Sequence, residues 1–540
     1  MIFSILFSLF FCLFIIKDLL IDKKNNNKTN YLKYAISFLL IFFCIFIRSY
    51  KFTKVPIPIN FDESSIGYEA YSLLKYNIDR NGISFPVHLI SWGSGQNVLY
   101  AYLSIPFIYL FGNSVFSIRL LMLIISSFSC IIMYYLLKDI FKDKYLFLFF
   151  IFSIMPWHIM KSRWALESNI FPDIILLILF LYNKFFKSNN IKFLYVISIL
   201  LGISTYSYGT SYIFIPLFLI LNLLYLLKNK LINKKQSVIC FLITTFISFP
   251  MILFTIINYF NMKELHIFNI TIPKLHYNRF ETVTVIKDNN IVKSLLLNFK
   301  SNIILILQND DYRLLNVIKP YYTLYYISIP FIFIGLYYLF KQRNEKNIYN
   351  IFINNIISGL IIMMFVTKSI HRINCIWYVL IIVVLIGIIN FCKEKLFFIS
   401  ICFIYLIYFI CFYNSYLKNY NKKLRILNNN GYYECLNYIK NKNIKYEKLI
   451  ISDTLNLPYI TYLYVNKINT NYFIANRKIE KENVEFENVI QIGNVYFKEP
   501  KEIKENNVYI LTKYRTETLK IKNKKCYKNY CVIFFDKNQK

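Results

Sequence analysis

The chain has 540 residues, 57% of them hydrophobic and 19% aromatic, and a formal net charge of +33 at pH 7. The apolar residues gather in long blocks instead of alternating with polar ones, and so many such blocks exclude a water-soluble globular protein. Nor does the charge point to nucleic acid. Lys is inflated throughout a chain rich in Asn, Ile, Tyr and Phe, and the soluble part has no long basic tract with interleaved aromatics.

Residues 1–20 form the first block; no small-residue cleavage site follows and no charge precedes it, so it reads as a retained span, not a signal peptide. Residues 145–159, 192–209, 211–227, 237–257, 321–340 and 395–412 are further blocks near the length a helix needs to cross the hydrocarbon core. Backbone groups in lipid must be satisfied within the segment, so the blocks are predicted to be helices. The polar breaks between them alternate in charge. Lys23, Lys24 and Lys33 fall in one, Lys138, Lys142 and Lys144 in another, and Lys184, Lys187 and Lys192 in a third. Lys228, Lys230, Lys234 and Lys235 follow, then Lys341, Arg343 and Lys346, then Lys393 and Lys395. The positive-inside rule places these breaks in the cytoplasm and predicts about twelve spans with both termini outside.

The fold class is therefore mainly α: a polytopic helical membrane domain over residues 1–412, then a small extracytoplasmic α/β domain over 413–540. Residues 50–97 are read as a first outer loop and 261–320 as a second. Between them, 98–111 is apolar but short for a span, and is read as an interfacial helix. In the first loop, Ile66, Ala70, Leu73 and Leu74 give residues 62–76 a helical period. In the tail, 431–442 reads as an amphipathic helix, and 448–452, 459–465, 508–513 and 531–535 read as strands. Eight of the eleven cysteines lie in or beside apolar blocks as small packing residues. Cys526 and Cys531 flank a turn in the tail, where spacing alone leaves their pairing open.

The histidines His88, His158, His266, His276 and His371 fall on the predicted outer face. So do Asp62, Glu63, Arg80, Arg119, Arg163 and Arg372. The middles of the spans carry almost no charge, which argues against an ion-coupled transporter and for a site at the outer surface. Each residue also has a plainer reading. Acids at a helix start cap it, and arginines at span ends snorkel.

Phe61-Asp62-Glu63-Ser64, Gly67-Tyr68-Glu69-Ala70, Asp79-Arg80-Asn81-Gly82 and Pro86 resemble the first outer loop of the C-superfamily glycosyltransferases, in particular the protein O-mannosyltransferase and lipid A aminoarabinose transferase group. The run from Phe111-Gly112 to Arg119-Leu120 fits that group's next segment, and Arg163-Trp164-Ala165-Leu166 and His371-Arg372-Ile373-Asn374 resemble two of its later outer turns. The resemblance covers roughly residues 35–215 and continues beyond only as topology. It implies an enzyme that moves a sugar from a polyprenyl-phosphate donor to an acceptor hydroxyl at the outer face of the bilayer. Asp62 would be the general base beside Glu63, and Arg80, Arg119, Arg163, Arg372, His88 and His371 the pool that binds substrate and lipid phosphate. The tail departs from the best-known members and leaves the acceptor open among lipid, glycan and protein. No zinc-ligand spacing occurs, and neither metal nor other cofactor is required by this reading. Two rivals come from other classes: a transporter or flippase of lipid-linked glycans, and a non-catalytic envelope-assembly protein.

Overall fold

The computed structural model describes residues 1–24, 30–56, 59–278, 290–308, 311, 316–343, 346–420, 431–521 and 523–535. Among these, ten helices are long and apolar enough to cross a membrane, from Ile2–Lys23 to Leu396–Tyr420. Many large apolar side chains on them face outward, Phe246, Leu396 and Phe403 among them. That is the pattern expected of lipid-facing surface, where no water has to be avoided.

Helix lengths differ from the sequence expectation in identifiable places. The block at 145–159 ends as a helix at Ser153, because Pro156 starts a new short helix, Pro156–Lys161, and cannot continue the old one. Lys192–Ser204 and Ser328–Lys341 are likewise shorter than the blocks that announced them. Conversely, the segment read as the second outer loop contains an apolar 18-residue helix, Ile291–Gln308. Its pattern is broken by Lys293, Ser294, Asn298, Lys300, Ser301 and Asn302, so it does not read as a continuous block. The structure absorbs part of that polarity: buried Asn302 donates to the carbonyls of Met363 and Val366 at 3.0 and 2.9 Å. Leu99–Phe111, the segment read as interfacial, is a helix of 13 residues, about 20 Å long at 1.5 Å per residue and too short to span.

Helix Phe61–Tyr76 forms where its period predicts, with Ile66, Ala70 and Leu73 buried. It is the platform on which the tail docks. Ser64 and Ser72 meet Thr461 and Thr470 at 3.2 and 2.6 Å, and the Tyr68 hydroxyl donates to the Ile468 carbonyl at 2.9 Å. Gly67 permits the approach: a Cβ there would lie 2.4 Å from the Tyr464 ring. One hydrophobic core runs through both parts, joining Ile66, Tyr100 and Ile118 to Leu436, Ile460 and Val495.

The tail is an α/β domain on a seven-stranded mixed sheet. Its strand order is Lys524–Tyr527, Tyr530–Ile533, Val508–Thr512, Leu449–Ile451, Val495–Phe497, Val489–Ile492, Arg477–Ile479. Leu449–Ile451 runs parallel to both neighbours, with Leu449 opposite Val508 and Val495. Three of the expected strands and the helix Tyr432–Asn441 are present; the fourth, 459–465, is helix Pro458–Asn466. Its Tyr, Ile and Val residues favour strand in isolation. Here Pro458 pre-sets the first helical turn, and the segment is buried from Pro458 to Val465 against the Phe61–Tyr76 helix. Cys526 and Cys531 are joined in a disulfide across the last hairpin.

Candidate active site

The Phe61–Tyr76 helix opens on a reciprocal cap. Asn60 Oδ1 accepts the Glu63 N–H at 2.7 Å, and Glu63 Oε2 accepts the Asn60 N–H at 3.4 Å. Capping thus falls to Asn60, not to Asp62. Glu63 is fully buried and wholly engaged. Arg119 Nε and Nη2 donate to its two oxygens at 2.7 Å each, and the Ala165 N–H adds a bond of 3.1 Å to Oε1. The remaining arm of Arg119, Nη1, donates to the Phe52 and Pro56 carbonyls at 3.2 and 2.8 Å. Such a fork-to-fork pair fixes geometry as well as charge. It ties together the first loop, the Val115–Ile140 helix and the turn after Arg163.

Asp62, one position before Glu63, is half-buried and lines a cavity of about 480 Å³. Stretches of chain far apart in sequence build that cavity, and the side chains they bring together include Asp62, His88, Glu167, His371 and Arg372. Phe61, Trp92, Trp164 and Phe486 supply aromatic wall, with Trp92 edge-on to Phe61 at 5.7 Å and stacked on Phe486 at 5.9 Å.

Of the eight residues expected to form the site, Asp62, His88, His371 and Arg372 line the cavity. The other four do not, and each is held by bonds of its own, Glu63 as described above. Arg119 is consumed by Glu63. Arg80 pairs with Glu69 at 3.0 Å, donates to Ser65 at 3.0 Å and lies between the rings of Trp92 and Tyr459, each 5.9 Å away. Arg163 is buried behind the cavity over the rings of Tyr413 and Tyr416, donating to the Ile47 carbonyl and the Tyr413 hydroxyl. His88 differs from expectation in charge. It is buried, stacked on Phe254 at 4.2 Å, with Nδ1 donating to the Leu89 carbonyl at 3.0 Å. Burial pushes its pKa down to about 3, so it is a neutral acceptor and not a cation for phosphate. Gly95 makes room for it: with φ at +88°, a Cβ there would sit 2.6 Å from His88 Cε1.

Sequence reading missed Glu167, a second carboxylate in the same cavity. It accepts the Asn97 N–H, and Asn97 Oδ1 in turn accepts the Tyr212 hydroxyl at 2.6 Å. The one signal for it was its place four residues after Arg163 in Arg-Trp-Ala-Leu-Glu. Among the described residues, no three His, Cys, Asp or Glu side chains converge as metal ligands would. The cavity offers a half-buried carboxylate, a second carboxylate on a backbone N–H, a guanidinium and aromatic faces. Those are groups suited to a hydroxyl, a phosphate and a sugar ring.

No family model and no curated protein matches the chain by sequence. By fold it is similar to ArnT from Cupriavidus metallidurans bound to undecaprenyl phosphate, with TM-score 0.55 and 8% identity over 92% of this chain and 97% of that one. The apo state of the same protein gives TM-score 0.53 over the same shares. The archaeal oligosaccharyltransferase AglB from Archaeoglobus fulgidus, in complex with an inhibitory peptide and a dolichol-phosphate, gives TM-score 0.49 and 11% identity over 81% of this chain and 64% of that one. The bundle and its tail thus define a multi-pass helical membrane protein with an α/β tail. Within that class the likeness is to ArnT, over nearly the whole of both chains.

Proposed function

We propose that the chain is a membrane glycosyltransferase that passes a sugar from a polyprenyl-phosphate donor to an acceptor hydroxyl outside the cytoplasm, with Asp62 as general base. The observation that carries this reading is the division of labour within the Asp62-Glu63 pair. Glu63 is locked in a structural ion pair, whereas Asp62, relieved of capping by Asn60, lines a cavity with Arg372 and aromatic faces. Asp62 takes the acceptor proton as the acceptor oxygen bonds to the anomeric carbon. The bond from that carbon to the phosphate oxygen breaks with its electron pair, and polyprenyl phosphate leaves with the added negative charge. Arg372 is the cavity guanidinium placed to receive that charge, as a planar fork suits a phosphate. Glu167, held by the Asn97 N–H, orients the acceptor or the sugar hydroxyls. The reading draws support from the ArnT structure bound to undecaprenyl phosphate. The Lys-rich alternate breaks support placing the cavity outside.

Asp62→Asn tests it. The variant keeps shape, while the Asn60 cap and the Glu63–Arg119 pair do not depend on Asp62, so expression and membrane insertion should persist. Transfer of label from a polyprenyl-phosphate sugar should fall by about 10²–10⁴-fold. Transfer at the wild-type rate would remove Asp62 from the chemistry.

A further inference from the structure

A second cleft, of about 650 Å³, lies beside the active-site cavity. They share a wall, with Leu275 lining the first and His276 the second. It consists of the Trp92–Gly93 turn bridged to Phe486, with the Glu487 N–H on the Trp92 carbonyl at 2.9 Å and the Tyr277 N–H on the Gly93 carbonyl at 3.1 Å. Three parts of the chain build the cleft. The Asp79–Ser84 turn gives Asn81 and Ser84, the hairpin of Leu265–Ile267 and Ile270–Ile272 gives His266 and Thr271, and the tail gives Arg477; His276 completes it. The turn is rigid, since Asp79 Oδ1 accepts the N–H groups of Asn81 and Ile83 at 2.8 and 2.9 Å.

Arg477 supplies the guanidinium of this cleft. Arg477 lies over the Phe473 ring at 5.2 Å, and among the described residues its guanidinium makes one hydrogen bond, from Nη1 to Asn81 Oδ1 at 3.0 Å. The neighbouring carboxylates are committed elsewhere. Glu487 takes His276 Nδ1 at 3.0 Å and the Asn483 N–H at 2.9 Å; Glu264 takes His266 Nε2 at 3.1 Å; Asp79 holds its turn. Burial, aided by Arg80, lowers the pKa of Arg477 more than Tyr459, Glu487 and Asp79 raise it. Its fork suits a phosphate or carboxylate bidentately, and the surrounding amide and hydroxyl side chains suit sugar hydroxyls.

We propose that this cleft is a subsite for an anionic saccharide, gripped by Arg477, and that it holds the acceptor glycan beside the cavity where its hydroxyl is glycosylated. The acceptor role rests on the proposed function; the binding site does not. The test is calorimetric titration of the full chain in phosphatidylcholine nanodiscs with glucose 1-phosphate, glucuronate and methyl glucoside. Both anions should bind, and the neutral glycoside at least tenfold more weakly. Arg477→Gln should weaken anion binding at least tenfold, with Arg477→Lys in between. Ser84→Trp, which fills the exposed mouth without touching Arg477, should also weaken binding tenfold and guards against a folding defect in the arginine variants. Equal binding of the neutral glycoside, absence of binding, or indifference to Arg477→Gln or Ser84→Trp would each overturn the subsite. Asp62→Asn separates the two readings: wild-type transfer in that variant removes the proposed function and leaves anion binding to be judged on its own.

Discussion

The Glu63–Arg119 pair can be tested as a structural keystone by a double-mutant cycle. Both side chains are about 1% exposed or less, joined by two bonds of 2.7 Å, and each holds backbone groups from other segments. Glu63→Gln leaves the guanidinium buried without a countercharge, and Arg119→Met leaves the carboxylate so. Removing one partner of a buried pair costs about 3–5 kcal/mol, because the other charge stays desolvated. The double variant removes both charges. It should therefore cost less than the sum of the singles, by an interaction energy of about 1–3 kcal/mol. Unfolding by SDS in mixed micelles, read on the purified full chain, gives the three differences. Arg119→Lys belongs in the same series: one ammonium cannot replace a fork serving two carboxylate oxygens and two carbonyls, so most stability and most transfer should be lost although charge is kept. Strictly additive single and double variants would refute the keystone, and near-normal behaviour of Arg119→Lys would return Arg119 to the role of a span-end anchor.

Further outcomes follow from the same geometry. Arg372→Gln should lower transfer by about 10²–10³-fold, the typical loss when one group stabilising developing charge is removed; unchanged transfer would free the phosphate from Arg372. The His276–Glu487 bond couples docking of the tail to pH. The Glu487 hydrogen bond raises His276 from its ordinary 6.5, so its contribution is full below pH 6.5 and lost as pH rises through the raised value. Burial pushes Glu487 up, but the His276 bond and the Asn483 N–H outweigh it and hold Glu487 below 4.5, so its contribution is full above pH 4.5 and lost as pH falls through the lowered value. The thermal midpoint gap between wild type and His276→Gln should therefore be wide near pH 6 and close towards pH 9; a gap independent of pH would refute the coupling. Finally, a membrane-impermeant maleimide should label Asn428→Cys, a site outside the described residues, on intact cells. Labelling only after permeabilisation would put the tail inside, together with the Phe61–Tyr76 helix on which it docks, and reverse the predicted topology.

The fold was legible where one physical rule dominates. Lipid demands long apolar helices, so most spans announce themselves, and the Phe61–Tyr76 helix shows a helical spacing in Ile66, Ala70 and Leu73, all of them buried. Legibility failed where two rules compete. Ile291–Gln308 carries amides and lysines that break the apolar run, yet Asn302 is satisfied against the Val366 and Met363 carbonyls. Residues 459–465 have strand-like composition, but Pro458 and burial along the segment make them helical.

The site divides along the same line. Residue type located Asp62, His371 and Arg372, because an acid, a histidine and an arginine between apolar blocks have few reasons to be there. Type could not say which charged residues are already spent. Arg80 and Arg119 read as free cations in the sequence, and each proves to be the partner of a buried glutamate brought near by folding. Partnership is a property of three-dimensional neighbours, and Glu63 and Arg119 are separated in sequence by most of the first loop. Glu167 shows the converse. A lone glutamate after Arg-Trp-Ala-Leu has no signature, and it gains significance only when its turn, the Asn97 N–H and Asp62 face one cavity. Asp62, Glu167 and Arg372 stand at the cavity and Arg477 at the neighbouring cleft. On the proposed reading it is these few side chains, not the +33 of the whole chain, that select what the protein binds.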